Sequence, residues 1–326
     1  MPTRSDHCDG IRYFNPGSAA GPAFRTVLKM LREPRARWPR TVTVQPVRIP
    51  PLVDGVAVQA TFVGHATFVL QTPAGNLLTD PIWSRRASPL SFAGPRRVRA
   101  PAVAFDDLPE IAVVLLSHNH YDHCDVPTPR ALERRFAPIV ITPVGNGPLL
   151  RRIGIRRVEE LDWWEHSNAA PVTVVATPAR HFSARTPWDR NRALWSGFVI
   201  RLSGCQIYFA GDSAYGPHFS EIRARIGPPD LSFLPIGAYE PRWFMAQHHM
   251  NPAEAAMAHR DLGSRRSVGM HFGTFQLTTE AIDAPATALA AARKQEEIPD
   301  AAFRVPNFGE TIAATASPAS RSSVGD

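Results

Sequence analysis

Residues 117–125 read SHNHYDHCD, directly after the apolar run IAVVLL. The H-x-H-x-D-H spacing brings His118, His120, Asp122 and His123 within six positions, a pattern that chance would supply on the order of once in a thousand chains of this size. A loop leaving a strand points alternate residues the same way, so His118 and His120 can grip one metal ion while Asp122 and His123 turn toward a second. Single candidates follow three other strand-like runs: His181 after VTVVATPAR, Asp212 after QIYFAG and His271 after SVGM. Strand exits are the usual edge for a site in an α/β sheet. The count gives a binuclear arrangement in which His118, His120 and His181 hold one ion, Asp122, His123 and His271 the other, and Asp212 bridges both. Nitrogen-rich ligation with carboxylates and no cysteine suits two Zn²⁺, with Fe or Mn as alternatives. Two ions ~3.5–4 Å apart lower the pKa of a shared water toward ~7, which is the chemistry of hydrolysis.

The elements that must position these ligands are legible in the alternation of patterns. From residue 55 onward short β-rich runs (VAVQATFV, ATFVLQ, NLLTD, IAVVLLS, PIVIT, VTVVATP, GFVIRLS, CQIYFAGD, LSFLPIG, SVGMHF) are divided by helical periods at 128–136, 217–226, 252–262 and 285–297. This predicts a layered α/β domain over 55–312, with Pro252 opening a helix. No internal repeat is visible. Residues 1–54 read as an extension with a basic amphipathic helix, in which Phe24, Val27, Leu28 and Leu31 share a face opposite Arg25, Lys29 and Arg32. The tail 313–326, ending SPASRSSVGD, reads as disordered.

Composition bounds the class of protein. At 326 residues and 44% apolar content the chain can bury a full core. No run is long and apolar enough to span a membrane, and MPTRSDHCDG is too polar and acidic for a signal peptide. A cytoplasmic location is expected. Cys8, Cys124 and Cys205, odd in number and far apart, suit free thiols better than a disulfide framework. The net charge of +7 comes almost wholly from arginine, and with 32 prolines it fits a compositional bias as readily as a function. Two clusters nonetheless stand out: Arg25, Lys29, Arg32, Arg35, Arg37 and Arg40 against a single Glu33, and Arg85, Arg86, Arg96, Arg97 and Arg99 with no acid between them. A solvated basic face and an anionic-surface patch weigh equally there, the second placing the chain as a peripheral protein on the inner membrane surface.

The downstream His, the Gly-Asp after a strand and the final His complete a pattern that resembles the metallo-β-lactamase superfamily, which implies a four-layer αββα sandwich with metals at one edge of the sheets. VGHAT at 63–67, TDPI at 79–82, SRRASP at 84–89, GPRR at 94–97, SHNHYDH at 117–123, ELDWWE at 160–165, LWSGF at 194–198, FAGDSAYGPHFSEI at 209–222, PIGAYEPRWFM at 235–245 and HFGTF at 271–275 are together similar to the N-acylphosphatidylethanolamine-hydrolysing phospholipase D family. That resemblance implies a zinc phosphodiesterase releasing an N-acylethanolamine and phosphatidic acid. It also implies an active-site histidine in HHM at 248–250, and counting back from Asn251-Pro252 selects His249 rather than His248. Cys124 stands where the family pattern has an aliphatic residue.

Around this centre, Asp122 and His249 are the expected catalytic residues, His249 donating a hydrogen bond or proton. Tyr121, Tyr239 and Trp243 are the expected substrate-binding residues, with Trp243-Phe244-Met245 lining an acyl channel. His65 in VGHAT reads as a supporting histidine and stays outside the ligand set. The cysteines read as buried apolar residues, and His7, His166, His218, His248 and His259 as surface or core. The expected partner is a phospholipid or small phosphodiester, not a nucleic acid. A lactonase or other ester hydrolase of the same superfamily is the nearest rival, since the same nucleophile attacks a carbonyl. A nuclease ranks third, because the segment between His123 and His181 is too short for a clamp domain. A metal-stabilised binding module ranks last, because structural zinc sites are closed and mononuclear.

Overall fold

Strands that are buried on both faces read as continuous apolar runs, and such strands build the centre of the molecule. A computed structural model describes residues 4–17, 26, 29, 30, 32–168 and 172–315. Its first seven-stranded sheet has the order β14-β1-β2-β3-β4-β5-β6, and the second the order β13-β12-β11-β10-β9-β8-β7. In the first sheet these are β1 Val58–Gly64, β2 Thr67–Thr72, β3 Gly75–Thr79, β4 Val113–Leu115, β5 Ile139–Pro143, β6 Val158–Leu161 and β14 Thr311–Ala314. In the second they are β7 His166–Ser167, β8 Thr173–Thr177, β9 Gly197–Leu202, β10 Cys205–Phe209, β11 Leu231–Pro235, β12 Ser267–Met270 and β13 Phe303–Arg304. Each sheet is an antiparallel block continued by a parallel one, β3 to β6 in the first and β10 to β13 in the second. The two halves thus share one plan, although no repeat is visible in the sequence.

The sheets face each other across an aromatic core in which the Phe68 and Phe233 rings lie 4.2 Å apart and the Phe62 and Phe68 rings 4.8 Å apart. Burial of each such ring contributes about 1.5–3 kcal/mol. Helices α1 (Pro127–Phe136) and α2 (Gly147–Arg152) pack Leu132 and Leu150 on the outer face of the first sheet. Helices α3 (His218–Ile226), α5 (Pro252–Leu262) and α6 (Ala284–Gln295) cover the second with Phe219, Leu262 and Leu289. The short α4 is Arg242–Met245. The architecture is the αββα sandwich. All four expected helices form with ends shifted by at most two residues. The elements the pattern missed are short or polar, such as VEEL in β6 and FR in β13, and so carry little periodicity.

One direction of travel places the ligands. Antiparallel pairing through β2 makes β1 run with β3 and β4, and pairing through β9 makes β8 run with β10, which is in turn parallel to β11 and β12. The chain therefore leaves β1, β3 and β4 at one edge of the first sheet, and β8, β10 and β12 at one edge of the second. His65, Asp80, His118, His181, Asp212 and His271 all follow those exits.

The ends of the chain depart from expectation. β14 pairs with β1, so Ala313 and Ala314 belong to the sheet and not to a tail; residues 316–326 lie outside the described residues. Phe24, Val27, Leu28 and Leu31 of the expected amphipathic helix also lie outside them, while Thr26, Lys29 and Met30 are helical. The parts of the extension that are described pack on the sandwich. Val47 donates its N–H to the Ala102 carbonyl at 2.8 Å, and Cys8 and Tyr13 are buried with Ala179, Leu194 and Trp195. Nor are the arginines of 85–99 one solvated face. Arg97 donates to the carbonyls of Ile82 and Ser84 and covers the Phe275 ring, and Arg99 donates to the Gly273 carbonyl, which leaves Arg85 and Arg96 exposed. Cys8, Cys124 and Cys205 are free and buried.

His7 fastens the first residues by lying between Asp6 (2.5 Å) and Asp162 (2.8 Å), its ring stacked on Trp163. Burial alone would lower its pKa, but the two carboxylates outweigh burial and raise it above 6.5. A group with a raised folded pKa stabilises fully below its unfolded value and loses that stabilisation as pH climbs through the folded one. Between about pH 6 and about pH 9 the melting temperature of the parent is therefore expected to fall further than that of His7→Gln. Parallel melting curves for the two proteins would show that the ion pair contributes nothing.

Candidate metal centre

At the shared edge the ligand side chains converge into two groups. In the first, His120 Nδ1 lies 3.0 Å from His118 Nε2 and 3.1 Å from His181 Nε2. In the second, Asp122 Oδ2 lies 3.1 Å from His65 Nε2 and 3.2 Å from His271 Nε2, and His271 Nε2 lies 3.1 Å from His123 Nε2. Between the groups stands Asp212, whose Oδ2 is 3.1 Å from both His123 and His271, 3.7 Å from His181 and 3.8 Å from His118. Its Oδ1 is buried with no hydrogen-bond partner. All seven ligands expected from the sequence thus meet. Gly211 permits the approach of Asp212: it has φ +58°, and a Cβ there would fall 2.6 Å from the Cβ of Ser117.

The proton positions follow from what lies behind the rings. Ser117 Oγ donates to Asp80 Oδ2 at 2.6 Å, so it accepts from His118 Nδ1 at 2.8 Å. His123 Nδ1 donates to the same Asp80 oxygen at 2.7 Å, and His181 Nδ1 donates to the His248 carbonyl at 2.9 Å. With Nδ1 committed outward in each ring, Nε2 is the nitrogen turned to the cluster, where a cation can take its lone pair. A buried cluster of imidazole nitrogens and carboxylate oxygens aimed at one another fits divalent cations, which accept every such donor at once. The candidate groups of ligand atoms, each within 4.8 Å of one another, include His118, His120 and His181 together and Asp122, His123 and His271 together with His65.

Charge in the cluster agrees. Burial opposes ionisation of Asp212, yet His123, His271 and His249 outweigh it and hold its carboxyl well below the usual range; Asp122 behaves alike beside His123, His271 and His65. Burial likewise disfavours charge on His271, but Asp212 and Asp122 push it up to about 9. Burial with neighbouring imidazoles drives His118 and His120 well down, and burial takes His181 to about 4. The carboxylates that hold protons on His123 and His271 are placed to hold cations instead.

Of the two histidines in HHM, the structure sets His249 at the cluster, its Nε2 3.9 Å from Asp212 and its ring 4.9 Å from that of His181. His248 contributes its carbonyl, and its ring packs on Phe182. Arg242 fixes this turn: it donates to the His249 and Tyr239 carbonyls and makes a two-pronged ion pair with Glu254, which also completes the capping box of α5 with Asn251.

Two residues escaped the sequence reading, Asp80 and Phe182. Asp80 follows an apolar strand as Asp212 does, which is the signal that could have found it. His65, expected only as a support, has Nε2 within the second group and φ +58°. Phe182 is the ring set against the ligands, 4.5 Å from His120. Tyr121 instead lies under the Arg185 guanidinium, 3.9 Å away, and Arg185 donates to the carbonyls of Asn119 and Cys124 and so clamps the ligand loop. Tyr239 is buried, and half-exposed Trp243 donates to Glu33 with Lys29 over its ring. Cys124 fills a fully buried apolar position against the first sheet, as an aliphatic residue would.

The profile of the β-lactamase superfamily domain matches residues 75–272, more than half of the chain. The chain belongs to the metallo-β-lactamase superfamily. Within it the chain is 37% identical over 264 residues to N-acyl-phosphatidylethanolamine-hydrolyzing phospholipase D 1 of Caenorhabditis elegans, covering 77% of this chain and 74% of that one. It is 35% identical over 211 residues to the mitochondrial N-acyl-phosphatidylethanolamine-hydrolyzing phospholipase D of Saccharomyces cerevisiae, covering 63% of this chain and 45% of that one. Among solved structures, an isothiocyanate hydrolase from Delia radicum gut bacteria superposes with a TM-score of 0.64 at 22% identity, over 79% of this chain and 100% of that one, which speaks to the fold. This metallo-β-lactamase-fold chain therefore joins a family of metal-dependent hydrolases that includes phospholipases of D type.

Because Asp80 orients one ring of each ligand group, Asp80→Asn is expected to weaken metal binding by roughly 10–100-fold. A competition titration of Zn²⁺ against a chromophoric chelator reads the change. Parental affinity in Asp80→Asn would mean that Ser117 and His123 hold their orientation without the carboxylate.

Proposed function

We propose that this chain is a binuclear zinc phosphodiesterase of phospholipase D type, which hydrolyses N-acylphosphatidylethanolamine-like glycerophospholipids to an N-acylethanolamine and phosphatidic acid. The observation that carries the reading is the coincidence of the two-group ligand cluster with 37% identity to a phospholipase of that activity over most of both chains. His118, His120 and His181 would hold one ion, Asp122, His123 and His271 the other, with Asp212 between them. When bound, such a pair supplies Lewis acidity and a water ionised near neutral pH.

The chain's own residues supply orientation and protons. Asp122, fixed through Oδ2 by His65, orients the second group, and His249 offers an Nε2–H to a phosphoryl oxygen or to the departing alkoxide. Water's oxygen joins phosphorus, the P–O bond to the ethanolamine breaks, and a proton goes to the ethanolamine oxygen, with no covalent intermediate on the protein. Tyr121, Tyr239 and Trp243, with Phe182 beside His120, are the proposed lipid-side residues.

The labelled atom reports the reaction class. With N-acylphosphatidylethanolamine in ¹⁸O-water, one heavy oxygen is expected in phosphatidic acid and none in the N-acylethanolamine, from protein that elemental analysis finds to carry close to two metal ions per chain. Label in a free fatty acid, or turnover confined to lactones, would assign the chain to the carboxyl-ester hydrolases of the superfamily instead.

No helix among the described residues is long and apolar enough to cross a membrane, and the proposed location is cytoplasmic, on the inner membrane surface. Supporting it, the hairpin over 85–97 carries exposed Leu90 and Phe92 between exposed Arg85 and Arg96, and Trp188 is exposed in the loop after His181. Apolar tips beside unpaired arginines suit an anionic lipid surface, and the charge part of such binding is screened over ~8–10 Å. Sedimentation with anionic vesicles is expected to fall at high salt, and in Phe92→Ala/Trp188→Ala at any salt. Equal sedimentation with neutral and anionic vesicles under both conditions would return the arginines to compositional bias.

A further inference from the structure

The first described residues lie outside the segment matched by the superfamily profile, yet they close over the loop that carries His181. Beyond the end of β8 the chain has no ladder to fix its backbone, and His181 must still present its ring to the cluster. Asn15 reaches that point: its Nδ2 donates to the His181 carbonyl at 2.9 Å. Its Oδ1 accepts from the indole of Trp195 at 3.1 Å, and the same indole N–H is shared with the Ala179 carbonyl at 3.0 Å. Asn15 therefore ties the backbone of His181 to a fully buried tryptophan that also holds the chain two residues earlier.

The neighbours of Asn15 bind the returning limb of the same loop. Tyr13 donates its N–H to the Asn191 carbonyl at 2.8 Å, and Arg12 donates to the Arg190 carbonyl at 2.6 Å. Arg190 lies over Phe182, the ring beside His120. Below, Trp163 stacks under His7 and donates to the Trp195 carbonyl at 2.8 Å. The His181 ring is held by the His248 carbonyl and the preceding peptide by the Ala214 N–H, which donates to the Arg180 carbonyl at 2.8 Å, and Asn15 restrains the carbonyl that follows.

We infer that Asn15 is a positioning residue of the metal centre, acting through the backbone of His181, and that the N-terminal strap is part of the scaffold of the His118, His120 and His181 group. The inference rests on the metal-binding half of the proposed function and is indifferent to the substrate. Asn15→Asp separates the two bonds of the side chain: it keeps an acceptor for Trp195 and removes the donor to His181. Asn15→Ala removes both.

The test uses the full-length chain freed of metal and titrated with Co²⁺, whose visible absorption reports ligand geometry, alongside melting of the metal-free proteins. In both variants one of the two ions is expected to bind about tenfold more weakly, the order found for outer partners of metal ligands. Its absorption band should change, the second ion should bind as in the parent, and the metal-free melting temperatures should match. Parental affinity and spectrum in Asn15→Asp would overturn the inference. So would loss of both ions together with a lowered metal-free melting temperature, which would make the strap a general support. A parent that takes up no cobalt would overturn the metal reading and this inference with it, whereas a failure to cleave phosphodiesters would leave the cobalt result standing.

Discussion

A single buried carboxylate sets the geometry of the site. Asp80 accepts from Ser117 N and Oγ and from His123 Nδ1, and through Ser117 it fixes the tautomer of His118. One ring in each ligand group is thereby turned so that Nε2 faces inward. Burial pushes the Asp80 carboxyl upward in pKa while His123 and Ser117 pull it down, so the group retains its role only while those donors remain. Hydrogen bonds to a charged acceptor contribute about 1.5–3 kcal/mol each, and leaving such a group buried without them costs at least as much. The ligand loop and the exit of β3 are thus tied to each other.

The backbone around the centre carries strain that an ordinary core would not. His65, Asp80, Ala238 and His271 all have positive φ without being glycine, a conformation that costs of order 1–3 kcal/mol per residue. His65 and His271 support each other, the N–H of His271 donating to the His65 carbonyl at 2.8 Å. Between Phe62 and Gly64 a bulge shifts the register of β1 just before the turn at His65. Side chains that would continue outward along their strands are redirected across the gap between the sheets. The aromatic core reaches this edge, where Phe62 stacks on Phe272, the residue that follows His271.

Arginine has two separate duties in the molecule. Arg97, Arg99, Arg185 and Arg242 donate to main-chain carbonyls of loops that border the ligands, where a planar fork with several donors holds more than one segment. Arg185 holds the ligand loop from both ends, and Arg242 with Glu254 holds the turn that delivers His249. Other arginines stay exposed, among them Arg85 and Arg96 on the two limbs of the hairpin and Arg32, Arg35, Arg37 and Arg40 before the sandwich. Net charge by itself therefore overstates the basic surface, because several of the charges that produce it serve as loop fasteners.

The amino-acid sequence by itself determined the candidate ligand set and the layered class. H-x-H-x-D-H and the later His181, Asp212 and His271 are types and spacings that few other chemistries use, and apolar runs alternating with helical periods force sheets covered by helices. It also placed the four long helices, whose caps and periodicity are local. What only the tertiary structure decided depends on contacts between segments distant in the chain. Asp80 and Asn15 are ordinary polar residues until a serine and a histidine, or a histidine carbonyl and an indole, are brought to them from elsewhere. Which of His248 and His249 lies at the cluster depends on which ring faces Asp212 and which carbonyl faces His181. Whether an arginine is surface charge or loop fastener is invisible in its neighbours in sequence. Short-range pattern records secondary structure and donor type, whereas hydrogen-bond partnership across a sandwich is a property of the packed chain.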